Sequence, residues 1–147
     1  MPVIVVGADS PLGAAIVDTL RGRPGELRAF VGTAAAGEPL RAAGFKVAVG
    51  DISDSTHVEG AVFGCYTAVL VAEAAADGRE LAFAVGPDSV IDGWLAAVTA
   101  SAVPRVILVG AIRPARAGVE WATVDPSGRT AAEVAAEVAH LDNTRAI

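Results

Sequence analysis

Short apolar runs alternate with stretches of helical period from one end of the chain to the other. Val3–Val6, Leu27–Val31, Phe45–Val49, Thr67–Val71 and Arg105–Val109 are short runs rich in valine, with little polar alternation. Strands of this kind are buried on both faces, as in a parallel sheet covered by helices. Between them, Ser10 caps and Pro11 opens a helix that runs to about Leu20, where Gly22, Pro24 and Gly25 break the chain. A short helix is predicted over Glu38–Ala43, ended by Gly44. Ser53 is expected to cap another helix through about Phe63, with Gly64 as its left-handed terminator. Residues 72–87 are the least regular, with a helical turn over Glu80–Val85. An apolar helix follows over Asp88–Ala102, then a loop over Gly110–Gly118, a possible sixth strand at Glu120–Val124 and a helix over Thr130–Leu141. Right-handed crossovers then favour an α/β fold with a three-layer, doubly wound parallel sheet, in the order 3-2-1-4-5 plus that sixth strand.

Composition narrows the class. The 147 residues are 53% hydrophobic and 19% charged, which suits a single folded domain over residues 1–147 and not a disordered chain. The net charge of −6 makes nucleic acid and anionic membrane poor partners. Cys65 is the only cysteine, so no intrachain disulfide can form. No basic residue precedes the first apolar run, and no stretch reaches the roughly 18 apolar residues of a membrane span. A cytoplasmic protein is the expectation.

Candidate chemistry begins after the first strand, at Gly7-Ala8-Asp9-Ser10-Pro11-Leu12-Gly13. A dinucleotide-binding turn needs a tight bend at the strand end, a close backbone approach to pyrophosphate, and close packing of helix on strand. Gly7 and Gly13 meet the first and last needs, and a helix opening at Pro11 offers N–H groups and a positive dipole end to an anion. Ser10 stands where the middle glycine usually sits; either its hydroxyl bonds a phosphate or its Cβ holds the cofactor off. Asp9 puts a carboxylate in an anion-binding turn, which is unfavourable unless it points outward. The alternative is a turn of the same shape that binds no nucleotide.

Gly7–Gly13 resembles the Gly-Ala-(Ser/Thr)-Gly-x-(Leu/Ile)-Gly turn of atypical and extended short-chain dehydrogenase/reductases, especially NmrA-like proteins and NAD-dependent epimerase/dehydratase relatives. Val49-Gly50-Asp51-Ile52-Ser53-Asp54 is similar to the Gly-Asp-Leu-x-Asp stretch that follows their third strand. Phe63-Gly64 and Ala102-Val103-Pro104-Arg105-Val106-Ile107 match the approaches to their fourth and fifth strands. The resemblance covers about residues 1–110 and implies a Rossmann fold that binds NAD or NADP. It places Asp51 and Ile52 beside the adenine, and Ala72 and Glu73 near the nicotinamide ribose. The acid or arginine that distinguishes NAD from NADP should end the second strand. Val31-Gly32-Thr33 offers neither, leaving Thr33 as a neutral contact and Arg41, on the next helix, as the cation considered for a 2′-phosphate.

The family's catalytic pair is absent. Its tyrosine acid has a lysine four residues later that lowers its pKa. Here Tyr66 is the only tyrosine, Lys46 the only lysine, and position 70 is leucine. Val109-Gly110-Ala111 stands where the family's serine would be, and the residues after Gly110 suffice for one strand and one helix, not for a substrate lobe. No catalytic residue is assigned. His57, His140, Cys65, Ser89, Ser101 and Ser127 lack ligand spacing or a triad context and read as surface, packing or turn residues.

The helix around Trp94 is apolar on more than one face, which neighbouring elements or a homodimer interface would explain. Three functions follow: an NAD(P)-binding sensor or regulator with weak or no catalysis, a minimal NAD(P)-dependent reductase or epimerase-like enzyme with an unconventional acid, and a structural relative that binds no nucleotide.

Overall fold

The computed structural model describes residues 1–147. Six strands, β1 (Val3–Val6), β2 (Leu27–Val31), β3 (Lys46–Val49), β4 (Thr67–Val71), β5 (Arg105–Val109) and β6 (Glu120–Val124), form one sheet in the order β3-β2-β1-β4-β5-β6. All five pairings are parallel, and Val5 lies beside both Ala29 and Val69. This is the expected order, with the sixth strand present. The helices are α1 (Pro11–Leu20), α2 (Ala34–Ala42), α3 (Ser55–Val62), α4 (Pro87–Ala100) and α5 (Ala131–Asn143).

Because side chains alternate across a strand, the runs feed two cores. Ile4, Val6, Leu70, Val106 and Leu108 pack against α3 and α4. Val3, Val5, Val69, Ile107 and Val109 pack against α1 and α5. Each large apolar side chain so buried contributes about 1.5–3 kcal/mol before the entropy of ordering it is subtracted.

Three local expectations need correction. The second helix begins at Ala34, not Glu38, because the Thr33 hydroxyl accepts the Ala36 N–H at 3.2 Å and starts it earlier. The third helix is capped by Asp54 rather than Ser53, whose hydroxyl is engaged by Asp51 at 2.6 Å. Residues 80–85 form bends without a helical turn; a 3₁₀ turn sits earlier, at Ala72–Ala75.

Both apolar sides of α4 are used within the chain. Trp94 is fully buried and donates its indole N–H to the Ile52 carbonyl at 2.8 Å. The outer side of α4 carries Asp88 and Asp92, both paired with Arg113. Trp94 therefore serves this chain's own core and presents no surface to a second copy.

At the N-terminal edge of the sheet lies Arg105, only 2% exposed. Its guanidinium donates to Glu120 at 2.9 Å, to the carbonyls of Leu141, Asp142 and Thr144 at 2.8–2.9 Å, and lies 5.3 Å from the centre of the Tyr66 ring. The end of α5 is thereby tied to β5 and β6. No helix is long and apolar enough to cross a membrane.

Candidate functional site: the C-terminal edge of the sheet

Strand order reverses direction between β1 and β4, and the crevice outside the C-terminal ends of these strands is where doubly wound sheets bind ligands. Here it is formed by the turn after β1, the ends of β2 and β3, and the 3₁₀ turn after β4. Gly7 has φ +86°, and a Cβ on it would lie 2.7 Å from that of Ala74, so the 3₁₀ turn rests directly on the glycine turn. A Cβ on Gly13 would fall 1.9 Å from the Gly7 carbonyl oxygen. Both glycines do what the sequence pattern required: one turns the chain, the other lets α1 approach β1.

The helix end itself is already satisfied. Pro11 has no N–H. Gly13 donates to the Ser10 Oγ at 3.0 Å, and that hydroxyl donates back to the Gly7 carbonyl at 3.0 Å. Ser10 is 1% exposed, so it acts as an inward-turned N-cap and neither holds off nor reaches a ligand. The Leu12 N–H donates to the Glu73 Oε2 at 2.7 Å. Glu73, expected near a nicotinamide ribose, thus places its own carboxylate at the positive end of α1. Ala72 is 7% exposed and contributes to the core beside Gly110.

Asp9 points toward the end of β2. Its Oδ2 accepts the Gly32 N–H at 2.8 Å, and Arg79 Nη1 donates to both carboxylate oxygens at 2.9 and 3.1 Å. Arg79 also grips Asp77 through Nε and Nη2. The bond to Asp77 is the main reason the guanidinium is held above its ordinary pKa, and the same bond lowers that of Asp77. Thr33 lies beside this group, its hydroxyl spent on capping α2.

Beyond β3, burial pushes the Asp51 carboxyl up, but bonds from the Ser53 hydroxyl and the Ala82 and Ser53 amides outweigh it, and Asp51 stays below the usual range. The Ala82 N–H reaches Asp51 Oδ2 at 2.8 Å and the Phe83 N–H reaches Ser53 Oγ at 3.0 Å. Residues 77–83 are therefore strapped across the ends of β1, β2 and β3. Ile52 is 1% exposed, and its side chain lies in the core.

The other half of the edge is open. A cavity of about 480 Å³ between the ends of β5 and β6 is lined by Gly110, Ala111, Ile112, Thr123, Val124, Asp125 and Ser127. It adjoins β4, since a Cβ on Gly110 would lie 3.6 Å from that of Ala72. The Ser127 amide donates to Asp125 Oδ1 at 2.9 Å, and this bond first of all keeps the Asp125 carboxyl below its ordinary pKa. Asp125 is thus an acceptor at neutral pH, not a proton donor. Ile112, Phe83 and Val85 are large apolar side chains exposed on loops of this edge.

Tyr66 and Lys46 are at the opposite edge, where Tyr66 hydrogen-bonds Glu120 at 3.2 Å and Lys46 pairs with Glu26 at 2.9 Å. His57 stacks edge-on against Phe30. Cys65 is buried, and burial pushes its thiol up to about 11. Tyr66, Lys46 and Cys65 do not reach the crevice, whereas His57 packs against Gly50 at the end of β3, where a Cβ on the glycine would fall 2.2 Å from the imidazole Nδ1. Arg79, Thr123 and Asp125, which sequence reasoning did not select, and Ser53, which it read as a helix cap and part of a family-like stretch, do line or brace the crevice.

Residues 7–144 match the family described as NAD(P)H-binding, and the chain belongs to that family, with the Rossmann fold of NmrA-like and short-chain dehydrogenase/reductase proteins. No curated protein matches it in sequence. Among solved structures it is similar to ChuY, an anaerobilin reductase from Escherichia coli O157:H7, at 18% identity and a TM-score of 0.74, over 99% of this chain and 92% of that one. It is also similar to a Citrobacter sp. triphenylmethane reductase complexed with NADP(H), at 18% identity and a TM-score of 0.62. An NADPH-dependent quinone oxidoreductase from Escherichia coli, complexed with NADPH, gives 20% identity and 0.59. The chain covers only 37% and 36% of these last two, so it spans about a third of their length.

Proposed function

We propose that the chain, working as one dinucleotide-binding unit over residues 1–147, holds a nicotinamide dinucleotide along the C-terminal edge and passes its hydride to a small conjugated acceptor. In this reading the pyrophosphate lies at Gly7, Pro11, Leu12 and Gly13, the adenosine half lies toward Asp9, Thr33 and Asp51, and the nicotinamide lies past Ala72 and Glu73. The observation that supports it most is the open cavity at the ends of β5 and β6, next to β4, whose carboxyl group, Asp125, is held ionised and so offers no proton. Hydride addition to a quinone or an arylmethyl cation tolerates that lack. The acceptor spreads the incoming charge over its π system, the cofactor leaves oxidised, and solvent supplies a proton where the product needs one. Reductases of an anaerobilin, of triphenylmethane dyes and of quinones share this fold, and ChuY does so with nearly the same extent of chain. A Rossmann unit of this extent is therefore compatible with such chemistry.

A second reading, a cofactor-binding sensor with weak or no catalysis, draws support from Glu73. A dinucleotide must displace that carboxylate from Leu12, so occupancy would report cofactor concentration. One experiment separates the readings. Thermal unfolding is followed with NAD, NADH, NADP and NADPH, and nicotinamide oxidation is then measured with a naphthoquinone and a triarylmethyl dye. A ligand at 100 times its Kd adds about 2.7 kcal/mol, a rise in Tm of about 5–10 °C. A rise with turnover is expected, and Asp125→Asn and Ser127→Ala should keep that turnover within about twofold, since neither supplies a proton. A rise without turnover favours the sensor, and no rise with any of the four rejects both.

A further inference from the structure

We propose that Asp9 is the residue that reads the adenosine ribose, and that it selects NAD(H) over NADP(H). This rests on the dinucleotide reading above. In a Rossmann crevice the ribose hydroxyls meet an acid at the end of β2, whereas a 2′-phosphate needs a cation there. Gly32 and Thr33 provide neither group, but the Asp9 carboxylate reaches the same place from the glycine turn and accepts the Gly32 N–H at 2.8 Å. Its Oδ1 is bonded only by Arg79 and has acceptor capacity left for a hydroxyl.

The charges around it oppose a phosphate. Arg79 is the cation in contact with this corner, and it is already shared. Nε and Nη2 go to Asp77 and Nη1 to Asp9, leaving the three groups at a net charge of −1. Asp9 and Arg79 are largely shielded, with side chains 14% and 19% exposed, so solvent screening of a 2′-phosphate placed among them is incomplete. Arg41, considered from the sequence, stands in the last turn of α2, about 10 Å along the helix from its groove end, and cannot reach. A hydroxyl pair suits this corner and a dianion does not.

The test measures Kd by calorimetry for NADH and NADPH with the full chain, and repeats it with AMP and its 2′-phosphorylated form, which carry the ribose difference without the nicotinamide. The wild type should bind NADH at least about tenfold more tightly than NADPH, and Asp9→Asn should shrink that ratio to about threefold or invert it. The gain in NADPH affinity should vanish in Asp9→Asn/Arg79→Ala, because the freed guanidinium is what receives the phosphate. Asp9→Ser, with a melting curve alongside, serves if the Asn variant is unstable. Equal or tighter NADPH binding by the wild type overturns the assignment while leaving the dinucleotide reading intact, as does an unchanged ratio in both variants. Binding of none of the four ligands removes the underlying reading and this one with it.

Discussion

The two halves of the C-terminal edge differ in kind. Over β1, β2 and β3 nearly every polar group has a partner: Asp9 with Gly32 and Arg79, Asp51 with Ser53 and Ala82, Ser10 with Gly7 and Gly13. Over β5 and β6 the edge is a cavity with exposed Ile112 at its rim and no group that donates a proton at neutral pH. In the proposed reading a ligand meets the first half through hydrogen bonds that it must share or displace, and the second half through apolar contact. If the proposed reading holds, the fold keeps a binding half strictly specified and leaves the reactive half to shape alone, which suffices where the reaction asks for no acid.

The comparison can be broken most severely at Gly13. Gly13→Ala should destabilise the chain by about 3–5 kcal/mol and abolish nucleotide-induced stabilisation, because the new Cβ meets the backbone oxygen of Gly7, which cannot yield. Denaturant unfolding checks it. A loss below about 1 kcal/mol would mean that α1 and β1 are less tightly apposed than described.

A subtler change sharpens it. Glu73→Gln removes the negative charge from the N-terminus of α1 and should tighten dinucleotide binding about tenfold, at a stability cost on the order of 1 kcal/mol. The same side chain then stabilises the empty protein and opposes the ligand. Calorimetric titration of wild type and variant decides the matter, and weaker binding by the variant would make Glu73 a ligand contact instead.

The smallest effect expected is on acidification. Asp51 and Asp77 both have pKa values lowered from 3.8, so the stability they confer is complete above the unfolded value and is lost as pH falls below about 4 toward their folded values. Residues 77–83 should loosen in that window by a few tenths to about 1 kcal/mol. Amide exchange of Ala82 and Phe83, faster at pH 3 than base and acid catalysis alone predict, would show it. Unchanged protection would sever the link between these carboxylates and the strap.

The regular parts of this architecture were legible from local pattern. Valine runs mark strands buried on both faces, and Ser10-Pro11 marks the start of α1, because each signal lies within a few residues. The glycine turn was legible for the same reason. The contents of the crevice were not. Glu73 meets Leu12 across 61 residues and Arg79 meets Asp9 across 70, and no periodicity encodes such a meeting. Asp9 looked hostile to an anion because the sequence does not show that its carboxylate turns toward β2. Trp94 was ambiguous because an apolar surface all round a helix does not say whether the second side meets the same chain or another. At α3, Ser53 and Asp54 are both competent caps, and only the prior claim of Asp51 on Ser53 decides between them.

The clasp at Arg105 bears on mutational tolerance. Its neighbours Val106, Ile107 and Leu108 fill apolar space, and branched aliphatic residues of similar volume should exchange there at small cost. Arg105 instead supplies a planar fork to one carboxylate and three carbonyls at once. Lysine keeps the charge but not the fork, and any apolar residue strands those acceptors. In a library of random substitutions, position 105 should therefore be among the most depleted, though it lies at the opposite edge of the sheet from the crevice.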